Sequence, residues 1–216
     1  MFHDKIVRQS SSKAATFPRR YYTVEKMTAS NQPQNKNALL ILSCSLNPGS
    51  RSHYLATVAA STATALGIDN DLVDLRDWDL PICDGKDCFN HPSVRPMTEK
   101  VSSATAVLIA SPIYNYDLNA AVKNVIELTG RAWSEKPVGM LCVAGGQRSY
   151  MAPMALANSL MFDFRCHLIP RCVYATSADF TESRELSEEL NGRVRQLVQS
   201  AASLGEALRW VDARNK

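Results

Sequence analysis

The stretch LLILSCSLNPGSRSHYLA, residues 39–56, passes from an unbroken apolar run through a hydroxyl-rich turn into the start of a helix. ALLILSC (38–44) shows no polar alternation, the pattern of a strand buried on both faces of a parallel sheet. Beyond the turn, SHYLATVAASTATALG (52–67) places Leu55, Val58, Ala59, Thr62, Ala63 and Leu66 at helical spacing, and Gly67 ends the helix. The same alternation runs on. DNDLVDLRD (69–77), ATAVLIASP (104–112), KPVGMLCVAGG (136–146) and CHLIPRCVYA (166–175) read as four more strands. Between and after them, helices are expected near 94–103, over 118–130, over 150–164 with Pro153 in the first turn, and over 181–211. The last of these carries a stripe of Leu186, Leu190, Val194, Leu197, Ala201, Leu204 and Leu208. Pro170 removes a ladder donor from the fifth strand and marks it as an edge or bulged strand.

Five strands alternating with helices predict an α/β domain with a parallel sheet covered on both faces. The 216 residues, 45% of them apolar, suffice for one such core. Residues 1–37 read as a disordered or poorly ordered basic extension, and 38–212 as the folded domain. The extension holds seven Lys/Arg against Asp4 and Glu25, a net +5 that leaves −2 for the rest of a +3 chain. A mildly acidic domain gives no reason to expect a nucleic-acid partner. No run has the length and apolarity of a membrane span. The six cysteines fit no common zinc spacing, and the trio Cys83, Cys88 and His91 lacks a second CxxC-like pair, so no metal is expected. Reduced thiols point to the cytoplasm.

Ligands of such sheets sit outside the carboxyl ends of the strands, which directs attention to three loops. The first holds Ser45, Asn47, Ser50, Arg51 and Ser52 at a helix start, where main-chain N–H groups and hydroxyls favour an anion. Neither G-x-x-x-x-G-K-[ST] nor G-x-G-x-x-G is present, so a single phosphate monoester fits better than a nucleotide polyphosphate or a dinucleotide. The plainer alternative is a helix cap, which needs only one of these residues. The second loop, SPIYNYDLNAAVKNVIE (111–127), offers Pro112, Ile113, Tyr114, Asn115 and Tyr116 as a shelf for a planar ring, or simply a turn whose tyrosines pack on the next helix. The third places Gly145 and Gly146 after a strand, permitting close approach of a ligand or a tight turn. His53 is either a further phosphate donor or a solvated helix-start residue. Tyr116 and Trp133 are either walls of a substrate site or core.

These three segments resemble the NADPH-dependent FMN reductases, which include NAD(P)H:quinone and azo-dye reductases. SLNPGSRS is similar to that family's serine/arginine phosphate loop, SPIYNYDLNAAVKNVIE to its most specific motif, and AGG to its third loop. Cys44, Asn47 and Ile113 stand where Gly, Arg and Glu are common. The resemblance covers about residues 38–178. It implies a flavodoxin-like three-layer sandwich with strand order 2-1-3-4-5. It also implies bound FMN, NADPH or NADH as electron donor, and a quinone, azo compound or free flavin as acceptor. A homodimer or homotetramer is implied as well. Hydride transfer through a flavin requires no catalytic acid, base or nucleophile from the chain, and none is assigned. Two other readings fit the same fold: an electron carrier, against which the weakly charged domain argues, and a flavin-free binding or regulatory remnant.

Overall fold

The computed structural model describes residues 39–181 and 185–214. The expected extension over 1–37 lies outside them. The described chain runs β1 (Leu39–Ser43), α1 (Arg51–Ala65), β2 (Asn70–Asp74), α2 (Val94–Ser103), β3 (Ala106–Tyr114), β4 (Asp117–Leu118), α3 (Ala120–Thr129), β5 (Pro137–Ala144), α4 (Pro153–Phe164), β6 (His167–Leu168), β7 (Val173–Thr176) and α5 (Glu188–Arg214). Short 3₁₀ turns fill several of the connections.

The sheet runs β2-β1-β3-β5-β6, with β7 continuing on the same side of β5, and every pairing in it is parallel except the β3–β4 hairpin. The expected order 2-1-3-4-5 holds for the five strand positions, whereas the count is seven. The fifth strand is split because residues 170–172 leave the ladder, at Pro170 and at Arg171, whose φ is +68°. The extra strand is β4, folded back on a β3 that runs two residues beyond its expected end at Pro112.

Burial follows from the sequence pattern. All five residues of β1 and all eight of β5 are buried, as the unbroken apolar runs require. Successive side chains alternate between two apolar layers. Leu40, Leu42, Val107, Ile109, Met140 and Cys142 pack with α2, α3 and α4, while Leu39, Ile41, Leu108, Ala110 and Leu141 pack with α1 and α5. The α5 stripe is buried at Leu190, Val194, Leu197 and Ala201 and runs out after Gly205. α5 lies so close to the sheet that a Cβ on Gly139 would meet Leu108 Cδ2 at 2.6 Å and Leu197 Cδ1 at 2.9 Å.

One buried polar network ties the carboxyl ends of β1 and β3 to the start of α3. In the parallel register, Cys44 N donates to Ala110 O at 2.8 Å, so the next ladder bond would run from residue 112 to the Cys44 carbonyl. Residue 112 is proline and has no N–H. Asn119 supplies the missing donor, its Nδ2 lying 2.6 Å from Cys44 O. Asn119 Oδ1 accepts from Ser111 Oγ at 3.0 Å, and Asn119 N donates to Ser111 Oγ at 3.3 Å. All of these groups are buried, so an unpaired carbonyl there is costly.

Replacing Asn119 with Ala strands the Cys44 carbonyl and is expected to cost about 1–3 kcal/mol of stability, read as a lower urea midpoint at unchanged slope. Adding Pro112→Ala to that variant returns an N–H at the required place. The double variant is therefore expected to be more stable than the sum of the two single changes predicts.

Candidate functional site

The three loops singled out in the sequence leave adjacent strands at one edge of the sheet. Ser43 is in register with Ala110, and Pro112 with Val143, so the ends of β1, β3 and β5 stand side by side. The end of β7 adjoins them, with Thr176 opposite Ala144.

The first loop is folded by its own polar groups. Asn47 N donates to Ser45 Oγ at 3.3 Å, Gly49 N to Asn47 Oδ1 at 2.9 Å, and Ser50 N to Asn47 O at 3.1 Å. Ser50 caps α1, accepting from His53 N at 3.3 Å, and its hydroxyl lies 2.8 Å from Ser52 Oγ. The cap expected as the plainer alternative is therefore present, but it occupies only Ser50. Ser45 and Ser52 are each 1% exposed, while residues 46–49 stand out in solvent. Arg51 reaches sideways: its Nη1 donates to Ser177 Oγ at 3.0 Å and its guanidinium lies 5.7 Å from the centre of the Phe180 ring. It thereby bridges the start of α1 to the segment after β7.

Behind this loop stand His53, named above, and two residues that the sequence pattern did not single out, Asp74 and Arg76. Arg76, just past β2, donates to Pro48 O at 3.2 Å and pairs with Asp74 through both Nε and Nη2. His53 Nδ1 lies 3.0 Å from both Ser43 Oγ and Asp74 Oδ2, so that ring nitrogen serves the strand ends. Burial pushes the Asp74 carboxyl up, but the hydrogen bonds from the Arg76 side chain and main chain outweigh it and hold the group below the usual carboxylate range.

The second loop is a hairpin. Ile113 pairs with Leu118 and Tyr114 with Asp117, leaving Asn115 and Tyr116 as a two-residue turn with φ of +52° and +66°. Left-handed φ at both positions is the signature of a type I′ turn. Asn tolerates that region, whereas for Tyr it is strained. Tyr114 and Tyr116 are 53% and 56% exposed, so they do not pack on α3. Ile113 differs from the expected apolar shelf. It is 8% exposed and packs in the core layer, as Pro112 is also buried, so both offer a ligand only main chain. Trp133 is core as well: fully buried, its Nε1 donating to Thr129 Oγ1 at 2.7 Å.

The third loop distinguishes its two readings. Neither Gly145 nor Gly146 has a left-handed φ, and Gly146 is fully extended at φ −169°, ψ −178°. A Cβ built on either meets nothing within 4 Å. Among the described residues, neither a left-handed φ nor packing requires glycine there. Both residues are exposed and the space above them is open. Tyr174 Oη steadies the loop by donating to Gly146 O at 2.6 Å.

The arrangement fits a planar group bearing one phosphate: hydroxyls and a helix N-terminus at one loop, bare main chain at another, and exposed tyrosines at the third. Comparison with known proteins gives the same direction. The NADPH-dependent FMN reductase family matches residues 38–181. An NAD(P)H-dependent FAD/FMN reductase of Geobacillus thermodenitrificans is 29% identical over 134 residues, 61% of this chain and 72% of that one. An FMN reductase (NADPH) of Pseudomonas aeruginosa is 27% identical over 147 residues, 67% and 79% of the two chains. Among solved structures, the flavoenzyme NAD(P)H:(acceptor) oxidoreductase FerB of Paracoccus denitrificans superposes with a TM-score of 0.66 at 20% identity, covering 79% of this chain and 98% of that one.

Two outcomes are expected from this geometry. Tyr116→Asn relieves the left-handed strain and is expected to stabilise the protein by up to about 1 kcal/mol in urea unfolding. Because the folded Asp74 carboxyl titrates below its unfolded value, its contribution is complete above about pH 4 and is lost as pH falls through the lowered folded value. Arg76→Ala is expected to flatten that acid dependence, measured as stability against pH.

Proposed function

The chain belongs to the NADPH-dependent FMN reductase family and is an FMN-dependent NAD(P)H oxidoreductase, and on that premise we propose which residues hold the flavin and what the enzyme reduces. Ser45, Asn47, Ser50, Arg51 and Ser52 bind the FMN phosphate at the start of α1. Pro112, Ile113, Tyr114 and Asn115 flank the ring from the hairpin, and Gly145 and Gly146 flank it from the third loop. The observation that carries this reading is the pair of glycines whose missing side chains leave space that none of the described residues fills.

Bound FMN supplies the two-electron chemistry between a nicotinamide and an acceptor. The chain's own contributions are positional and electrostatic. The α1 N-terminus and the loop hydroxyls offset the phosphate charge. Pro112 and Ile113 present main chain to the ring edge because their side chains are committed to the core. Main-chain N–H groups at Gly145 and Gly146 offer donors where negative charge grows during reduction. No side chain has to carry a proton. Exposed Tyr114 and Tyr116 leave an open aromatic face suited to a flat acceptor: a quinone, an azo compound or free flavin.

The same reading makes the enzyme a cytoplasmic homodimer or homotetramer. α4 supports the association: Met154, Met161 and Phe162 lie on its exposed side, and Asp163 is the single charged residue among its twelve. The six thiols without a disulfide support a reducing compartment.

The phosphate assignment is tested by titrating the apoprotein with FMN and with riboflavin. Two charge-assisted hydrogen bonds at about 1.5 kcal/mol each predict FMN at least about 100-fold tighter. Equal affinity overturns the assignment. Gly145→Val is expected to weaken FMN at least about 10-fold with an unchanged melting temperature, since its side chain meets no protein atom. A variant that loses stability but not affinity contradicts the proposed ring position.

A further inference from the structure

The segment between β2 and α2 holds a second pair of reactive groups that the flavin chemistry does not use. Cys83 and Cys88 face each other with Sγ–Sγ 3.9 Å, against the ~2.05 Å of a disulfide. Both are held there through their main chains. Cys83 N donates to Asn124 Oδ1 at 2.8 Å, and Asn124 Nδ2 donates to Pro81 O at 2.9 Å, so α3 clamps the first cysteine from outside. Asp84 Oδ1 accepts from Lys86 N at 2.8 Å and from Cys88 N at 3.1 Å, folding the intervening turn, which Gly85 completes at φ +73°. The turn is thus held through the main chains of both cysteines, and it presents the thiols to each other.

Their environments differ as an attacking and a resolving thiol require. Cys83 is half-buried and lines a groove of about 510 Å³ between α3 and α4, with Lys123, Arg131 and Phe162 among its walls. Cys88 is 5% exposed and packs with Val94 and Leu128. Burial, with the Asp84 carboxylate adding to it, pushes the Cys88 thiol up, which leaves the first attack to Cys83. Among the described residues no group of three or more His, Cys, Asp or Glu stands close enough to hold a metal.

We propose that Cys83 and Cys88 form a reversible disulfide, closed by a hydroperoxide that reaches Cys83 through the α3–α4 groove. Cys83 sulfur attacks the peroxide O–O bond, giving a sulfenic acid and releasing one molecule of water or alcohol. Cys88 sulfur then displaces the sulfenic oxygen, which leaves as water with the Cys88 proton. Two thiols are oxidised to one disulfide and one hydroperoxide is reduced. A dithiol reopens the bridge by exchange.

Lys86 lies between the two cysteines, so trypsin separates residues 77–86 from 87–100 unless a disulfide joins them. The full-length, FMN-loaded protein is treated with hydrogen peroxide, its remaining thiols are alkylated, and it is digested. The expected product is the 77–86/87–100 linked pair, lighter than the two peptides by two hydrogens and abolished by dithiothreitol. Cys88→Ser is expected to stop at a Cys83 sulfenic acid that dimedone traps. Recovery of both peptides as alkylated thiols under conditions that oxidise half-buried Cys172 overturns the proposal, as does a Cys83 bridge to any other cysteine. The wild-type result needs no variant to fold.

Discussion

The hydrogen bond from Asn119 to the Cys44 carbonyl is the contact on which the binding edge depends. A proline two residues before the end of β3 interrupts its parallel ladder with β1. Without a substitute donor, β1 and β3 would part just where the first and second loops begin. Asn119 repairs the gap from the start of α3 and uses its remaining polar groups on Ser111. The side chain that would ordinarily cap α3 therefore holds two strands together. Because Asn119 follows directly on β4, the same contact also fixes where the strained hairpin returns to the body of the protein.

Around this anchor, the loops divide into parts that hold the fold and parts that are left open. Asp74, Arg76, His53 and Ser43 brace the first loop from behind. The glycines show the same division. Gly139 and Gly205 are required because neighbouring atoms of the chain would collide with a side chain, whereas a Cβ on Gly145 or Gly146 would meet none of the described residues. Strain is also present at this edge: an exposed tyrosine keeps a left-handed φ in the turn. A hairpin selected for stability alone has no use for it.

Much of the architecture was legible in the sequence because both faces of the central strands are buried. That produces the unbroken runs 38–44 and 136–144 and makes a helix between each pair of strands unavoidable. The three loops were equally legible, since strand ends in a parallel sheet carry the ligand and these are rich in Ser, Tyr and Gly. Less visible was anything that depends on pairing across the sheet. Pro112 announced a missing donor, but nothing local said that Asn119 would replace it. Asp74 and Arg76 read as the polar end of an edge strand, and only the neighbouring loop gives them a role. Ile113 was placed on the wrong side of the chain because β3 continues beyond Pro112, which commits that side chain to the core. Pro170 marks the fifth strand as an edge or a bulge; that it becomes two short strands on one side of β5 is visible only in the pairing.

The central claim is that this sheet edge holds FMN so that a nicotinamide can reduce it. The most direct test is rapid mixing of the FMN-loaded protein with NADPH, and separately with NADH, in the absence of oxygen, following the visible flavin absorbance. The account predicts that at least one of the two bleaches the bound flavin far faster than it bleaches the same concentration of free FMN. Bleaching no faster than that of free FMN with either donor would contradict it.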